Sequence, residues 1–175
     1  MIVPIWIASW ELGCCQPQAE VGKPWIVPVS FDPTTDPWWV VDHGAAATAE
    51  QRSYGVADLD VRSENGAPGI YTAGPLRFHG PVDLTEGHHT GRLHVDAHSS
   101  DDHQTVTTGG PVTAVDLIPL RFTLKERDGR GVYCPTEQLE PVRVGSTRDG
   151  SDLNDWVGED TRVICELLIW VDVGG

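Results

Sequence analysis

Apolar and polar residues alternate one by one through much of this chain, and that rhythm belongs to extended backbone. The clearest instance is Leu120, Phe122 and Leu124 alternating with Arg121, Thr123 and Lys125, after which Asp128-Gly129 turns the chain back through Val132 and Tyr133. Successive strand side chains point to opposite faces, so such a segment has one wet face and one dry face. Asp-Gly supplies the positive φ angles of a two-residue hairpin. Residues 56–62 alternate likewise, and Glu64-Asn65-Gly66 turns them toward a strand at 69–73.

Further strands are expected at 25–31, after the turn Val21-Gly22-Lys23, at Trp38 to Val41, and at 92–98. Shorter ones are expected around Leu76 and Phe78, around Val82 and Leu84, and at Val142 and Val144. Residues 2–9 and 163–173 are apolar on both faces, which predicts strands buried on both sides. Gly109-Gly110-Pro111 reads as a break. Residues 45–52, rich in Ala with Glu50 and Gln51, form the best candidate for a short helix. Many short strands with close turns and almost no helix predict an all-β single domain over 1–175. A partly open antiparallel barrel with one or two short helices is preferred, and a β-sandwich is the alternative.

Charge narrows the partners. Twelve Lys+Arg against 26 Asp+Glu give a net charge of −14, and Lys23 and Lys125 are the only lysines. Nucleic-acid phosphates and anionic membranes repel such a surface. The expected partner is therefore a basic protein or a small ligand, with no nucleic acid and no membrane. The apolar start lacks the basic residues of a signal peptide, and no run reaches the roughly 20 apolar residues of a spanning helix. A cytoplasmic location follows as the expectation. Cys14, Cys15, Cys134 and Cys165 are then thiols rather than a disulfide framework.

Two groups of residues offer chemistry. Five of the seven histidines lie between His88 and His103. On a strand, His94, Asp96 and His98 share one face, with His88 and His89 on the preceding stretch. Imidazole and carboxylate are zinc donors, so this cluster is a candidate metal site and, with an activated water, a candidate hydrolase centre. The bland reading is a solvated strand face with its imidazoles toward water. Residues two apart stand about 6.6 Å apart at Cα, so one metal reaches His94 and His98 together only if the strand bends sharply.

The second group is Trp38-Trp39 with His43. Adjacent strand residues face opposite ways, which would leave one indole exposed as a binding surface beside the imidazole. No phosphate loop, nucleophile elbow or dinucleotide fingerprint occurs. A non-enzymatic interaction domain without a cofactor is therefore the leading expectation, and a zinc protein the second.

The pattern Trp6-x3-Trp10-Glu11-x2-Cys14-Cys15, followed by Val21-Gly22 and Trp25, resembles a family of small bacterial proteins catalogued as a domain of unknown function. The resemblance continues in patches through residues 91–98, 112–116, Asp128-Gly129 and Gly158-Glu159-Asp160, and skips 34–69. It implies one compact domain and transfers no catalytic residue.

Overall fold

The computed structural model describes residues 1–8, 11, 18–64, 66–96, 106–150 and 160–174. Ten strands follow in chain order: β1 (Ile2–Ile7), β2 (Pro24–Asp32), β3 (Ala57–Ser63), β4 (Ile70–Ala73), β5 (Leu76–His79), β6 (Gly87–Val95), β7 (Thr107–Arg127), β8 (Arg130–Gln138), β9 (Val142–Val144) and β10 (Thr161–Asp172). Two single-turn helices, α1 (Trp38–Val41) and α2 (Ala49–Ser53), lie between β2 and β3. Eight strands close into a barrel in the order β10-β1-β6-β3-β4-β5-β2-β7, and β7 returns to β10. β8 and β9 pair with β7 outside that ring.

Pairing is mostly antiparallel. The parallel pairings among the described residues are β1 beside β6, a single bridge, Ser30 to His79, that joins β2 to β5, and an isolated bridge from Ala46 to Glu137 of β8. The β7–β8 hairpin turns at Asp128 and Gly129, whose φ angles of 52° and 74° are both positive, as that dipeptide predicts.

The alternation builds two cores instead of one. Val3, Ile5 and Ile7 of β1 and Leu167, Ile169 and Val171 of β10 point into the barrel, where they meet Leu93, Phe31 and Phe78. Their neighbours Trp6 and Leu168 point outward, together with Ile118, Leu120 and Phe122 of β7. The α1–α2 flank covers this outer face through Trp39 and Ala45. Burying each large indole contributes roughly 4–6 kcal/mol before ordering costs. β1, residues 114–118 of β7 and residues 165–169 of β10 are thus dry on both faces, which accounts for the continuous apolar runs at both ends of the chain.

Four sequence expectations change. Trp38–Val41 is a helical turn after Pro37, because Trp39 and Val40 pack against the outer core while Trp38 and Val41 face out. The helix expected at 45–52 is confined to Ala49–Ser53. It starts at a capping box in which Thr48 Oγ1 accepts from the Gln51 N–H at 3.1 Å and Gln51 Oε1 accepts from the Thr48 N–H at 2.8 Å. Val82 and Leu84 lie in a turn region after Pro81.

Gly109-Gly110-Pro111 does not break the chain but lies inside β7. These glycines admit close neighbours: a Cβ on Gly110 would stand 1.9 Å from the Asp172 carbonyl oxygen, and one on Gly109 2.7 Å from that of Trp25. Among the described residues no helix is long and apolar enough to cross a membrane.

Candidate functional site

The α1–α2 flank is held to the barrel by two buried charges. Arg92 of β6 lies under it, 2% exposed, its guanidinium 4.8 Å from the centre of the Trp6 ring. It donates to the backbone carbonyls of Thr35 (2.9 Å), Tyr54 (3.1 Å) and Arg52. Burial lowers its pKa from 12.5 to about 10, while Asp36 and Asp32 act the other way. One planar cation thus ties together the two ends of the flank.

Asp116 of β7 is the second. Its carboxylate accepts from the Tyr54 hydroxyl and the Trp170 indole N–H, both at 2.7 Å, and from Arg143 of β9. Burial first, and then the hydrogen bond to Asp116, push the Tyr54 phenol from 10.0 to about 12. Tyr54 and the outer face of the barrel are joined at this point. In the sequence Asp116 is one more acid among 26, and Arg92 one more arginine; nothing in their neighbours reveals that both are buried.

The candidate residues distribute unevenly around this frame. Trp39 is 1% exposed and belongs to the outer core, so its ring presents no surface. Trp38 remains exposed. It meets Trp39 edge-on at 5.9 Å and His43 edge-on at 5.5 Å. His43 is itself exposed.

The histidines separate. His88 faces Asp60 at 3.4 Å in open solvent, and a ring nitrogen of His89 is 2.8 Å from the Thr85 carbonyl oxygen. His94 is half-buried, contrary to the expectation that these rings face water, and desolvation lowers its pKa although Asp32 opposes the shift. His88 and His94 lie six residues apart on one strand, about 20 Å at the usual rise. Asp96 follows the end of β6, its backbone N–H donating to the Pro28 carbonyl at 3.0 Å. His98 lies outside the described residues, as do Trp10, Cys14 and Cys15. Among the described residues no three His, Cys, Asp or Glu side chains are grouped to hold a metal ion. Cys134 and Cys165, the two described cysteines, are buried free thiols.

One candidate from each group meets the other. Trp38 and His94 wall a recess of about 190 Å³ that also contains Asp32, Asp36, Asp42 and Arg92. Asp36 holds Arg52 at 2.9 Å, and Asp32 Oδ1 accepts from the Thr34 N–H at 2.9 Å. Three carboxylates against the guanidinium groups of Arg92 and Arg52 leave the recess net negative. The indole face, the carboxylates and a half-buried neutral imidazole make a small chamber that disfavours anions. No family model, curated protein or solved structure matches the chain.

Proposed function

We propose that this protein is a non-enzymatic binding domain that recognises a basic partner by taking one cationic side-chain head into the Trp38 recess. The observation that carries this reading is the exposed Trp38 indole lining one chamber together with three carboxylates, Asp32, Asp36 and Asp42. A guanidinium or ammonium group gains from an aromatic face roughly 0.5–2 kcal/mol, and more beside a carboxylate. The volume suits one such head rather than a whole drug-sized molecule, for which roughly 300 Å³ is a lower bound. The net charge of −14 would draw a basic partner in from a distance and speed encounter at low salt. Arg92 is spent on three backbone carbonyls and serves as the floor of the recess.

The test is calorimetric titration with an arginine-rich peptide and with a glutamate-rich peptide of equal length. The basic peptide is expected to bind, with affinity falling as salt rises, and Trp38→Ala and Asp42→Asn are each expected to weaken it about tenfold. Equal binding of both peptides, or full affinity in Trp38→Ala, would overturn the reading.

A further inference from the structure

Another recess opens between α2 and the end of β8. Its volume is about 330 Å³, and its walls include Thr48, Gln51, Tyr54, Gln138, Glu140 and Pro141. It shares no wall residue with the Trp38 chamber. Gln138 is only 2% exposed, and among the described residues neither its side-chain nitrogen nor its side-chain oxygen has a hydrogen-bond partner. Such a residue is unusual. An orphaned buried polar group costs about 1–3 kcal/mol, and a carboxamide carries two of them.

Thr48, Gln51 and Tyr54 beside it do not relieve it, because they bond to other groups. Gln51 Oε1 accepts from the Thr48 N–H at 2.8 Å, and Gln51 Nε2 donates to the backbone carbonyl of Gln138 at 2.9 Å. Thr48 Oγ1 accepts from the Gln51 N–H, and the Tyr54 hydroxyl donates to Asp116. The Gln138 carboxamide is therefore uncommitted, and turning it toward the recess breaks no hydrogen bond.

We propose that this recess binds a small ligand presenting a hydrogen-bond donor and acceptor side by side: an amide, imide or ureide without negative charge. A carboxamide offers one donor and one acceptor on the same edge, and a second amide-type edge is its two-point complement. The match holds whichever way the Gln138 nitrogen and oxygen are assigned. Glu50 and Glu140 on the walls exclude carboxylates and phosphates, while the Pro141 and Tyr54 rings give flat surface for the remainder of the ligand. The volume falls at the lower end of small-molecule sites.

The experiment follows the Gln138 side-chain amide resonances of ¹⁵N-labelled protein during titration with uracil, nicotinamide and, as the anionic isostere, nicotinate. Saturable shifts are expected with uracil or nicotinamide, and binding of nicotinate at least about tenfold weaker. Gln138→Leu removes both polar atoms at similar volume. It is expected to keep or raise the melting temperature and to weaken the amide probes about tenfold or more. Trp38→Ala should leave this binding unchanged, which separates it from peptide recognition.

Three results would overturn the proposal: no saturable shift with either amide probe, undiminished binding by Gln138→Leu, or a Gln138 amide in contact with a held water that neither probe displaces. If Gln138→Leu fails to fold, Gln138→Glu is the substitute; it removes the donor, and full nicotinamide affinity in that variant would equally overturn it.

Discussion

Replacing Asp116 by alanine tests whether the flank is fastened by the neutral donors or by the ion pair. The side chain of Asp116 is 2% exposed, whereas that of Arg143 is 61% exposed. Once the carboxylate is gone, Arg143 turns into water at a cost below about 1 kcal/mol, as for other exposed pairs. The Trp170 N–H and the Tyr54 O–H lose their acceptor, at roughly 1–3 kcal/mol for each group left unpaired. Tyr54 is half-buried and recovers part of this from solvent, so Trp170 carries the larger share. The expected loss is about 3–4 kcal/mol, which lowers the melting temperature by roughly 6–16 °C in a domain of this size. Arg143→Ala should cost less than that, about 1–2 kcal/mol, because the buried carboxylate keeps both neutral donors. Urea unfolding of both variants, with the slope checked for constancy, measures the difference. If Arg143→Ala costs as much as Asp116→Ala, or Asp116→Ala costs less than about 1 kcal/mol, the neutral donors do not fasten the flank.

Other consequences are equally direct. Gly55→Ala places a Cβ 2.7 Å from Trp6 Cζ2 at a residue whose φ is +70°. Backbone strain of about 1–2 kcal/mol and displacement of Trp6 at about 1–3 kcal/mol should together cost roughly 2–5 kcal/mol in urea unfolding, and a loss under about 1 kcal/mol would contradict the contact. The Tyr54 phenol is raised to about 12, so its stabilising contribution is complete below pH 10 and is lost as pH climbs through 12. Unfolding midpoints should therefore fall more steeply between pH 10 and 12 in the native protein than in Tyr54→Phe, and parallel slopes would refute this. Arg92→Met strands the carbonyls of Thr35, Arg52 and Tyr54 and should speed tryptic cleavage after Arg52 severalfold, whereas an unchanged rate would show that the flank does not depend on the guanidinium.

What the sequence made legible is what a two-residue period can encode. The hairpin at Asp128-Gly129, the alternating β3, and the closing strand with both faces apolar all emerge from local pattern. Four apolar residues such as Trp38 to Val41 are too short to show any period, and only their packing on Trp6 decides for a helical turn. Gly109 and Gly110 signal a break when read locally, yet they are present because a carbonyl from another strand passes within van der Waals reach of each. Burial of Arg92, Asp116 and Gln138 depends on what folds over them, some 40 to 87 residues away in the chain for the contacts that matter. Trp38 was legible as a surface, but the carboxylates that join it, Asp32 at the end of β2 and Asp36 in the bend after it, meet it only because the fold sets the direction of the chain between them.

Strands that are oily on both sides raise a question of alignment. Sliding an ordinary amphipathic strand by one residue exchanges oil for water, and that penalty keeps neighbours in step. β1, residues 114–118 of β7 and residues 165–169 of β10 have no wet face, so over these stretches hydrophobicity alone would tolerate the slip. Here the few polar atoms set the phase: a shift of β7 would carry the Asp116 charge away from Trp170 and Tyr54 and leave it unpaired in apolar surroundings. A shift against β10 would also bring a side chain where only the hydrogen of Gly110 fits beside Asp172. The sparse buried polarity of this barrel acts as its alignment key.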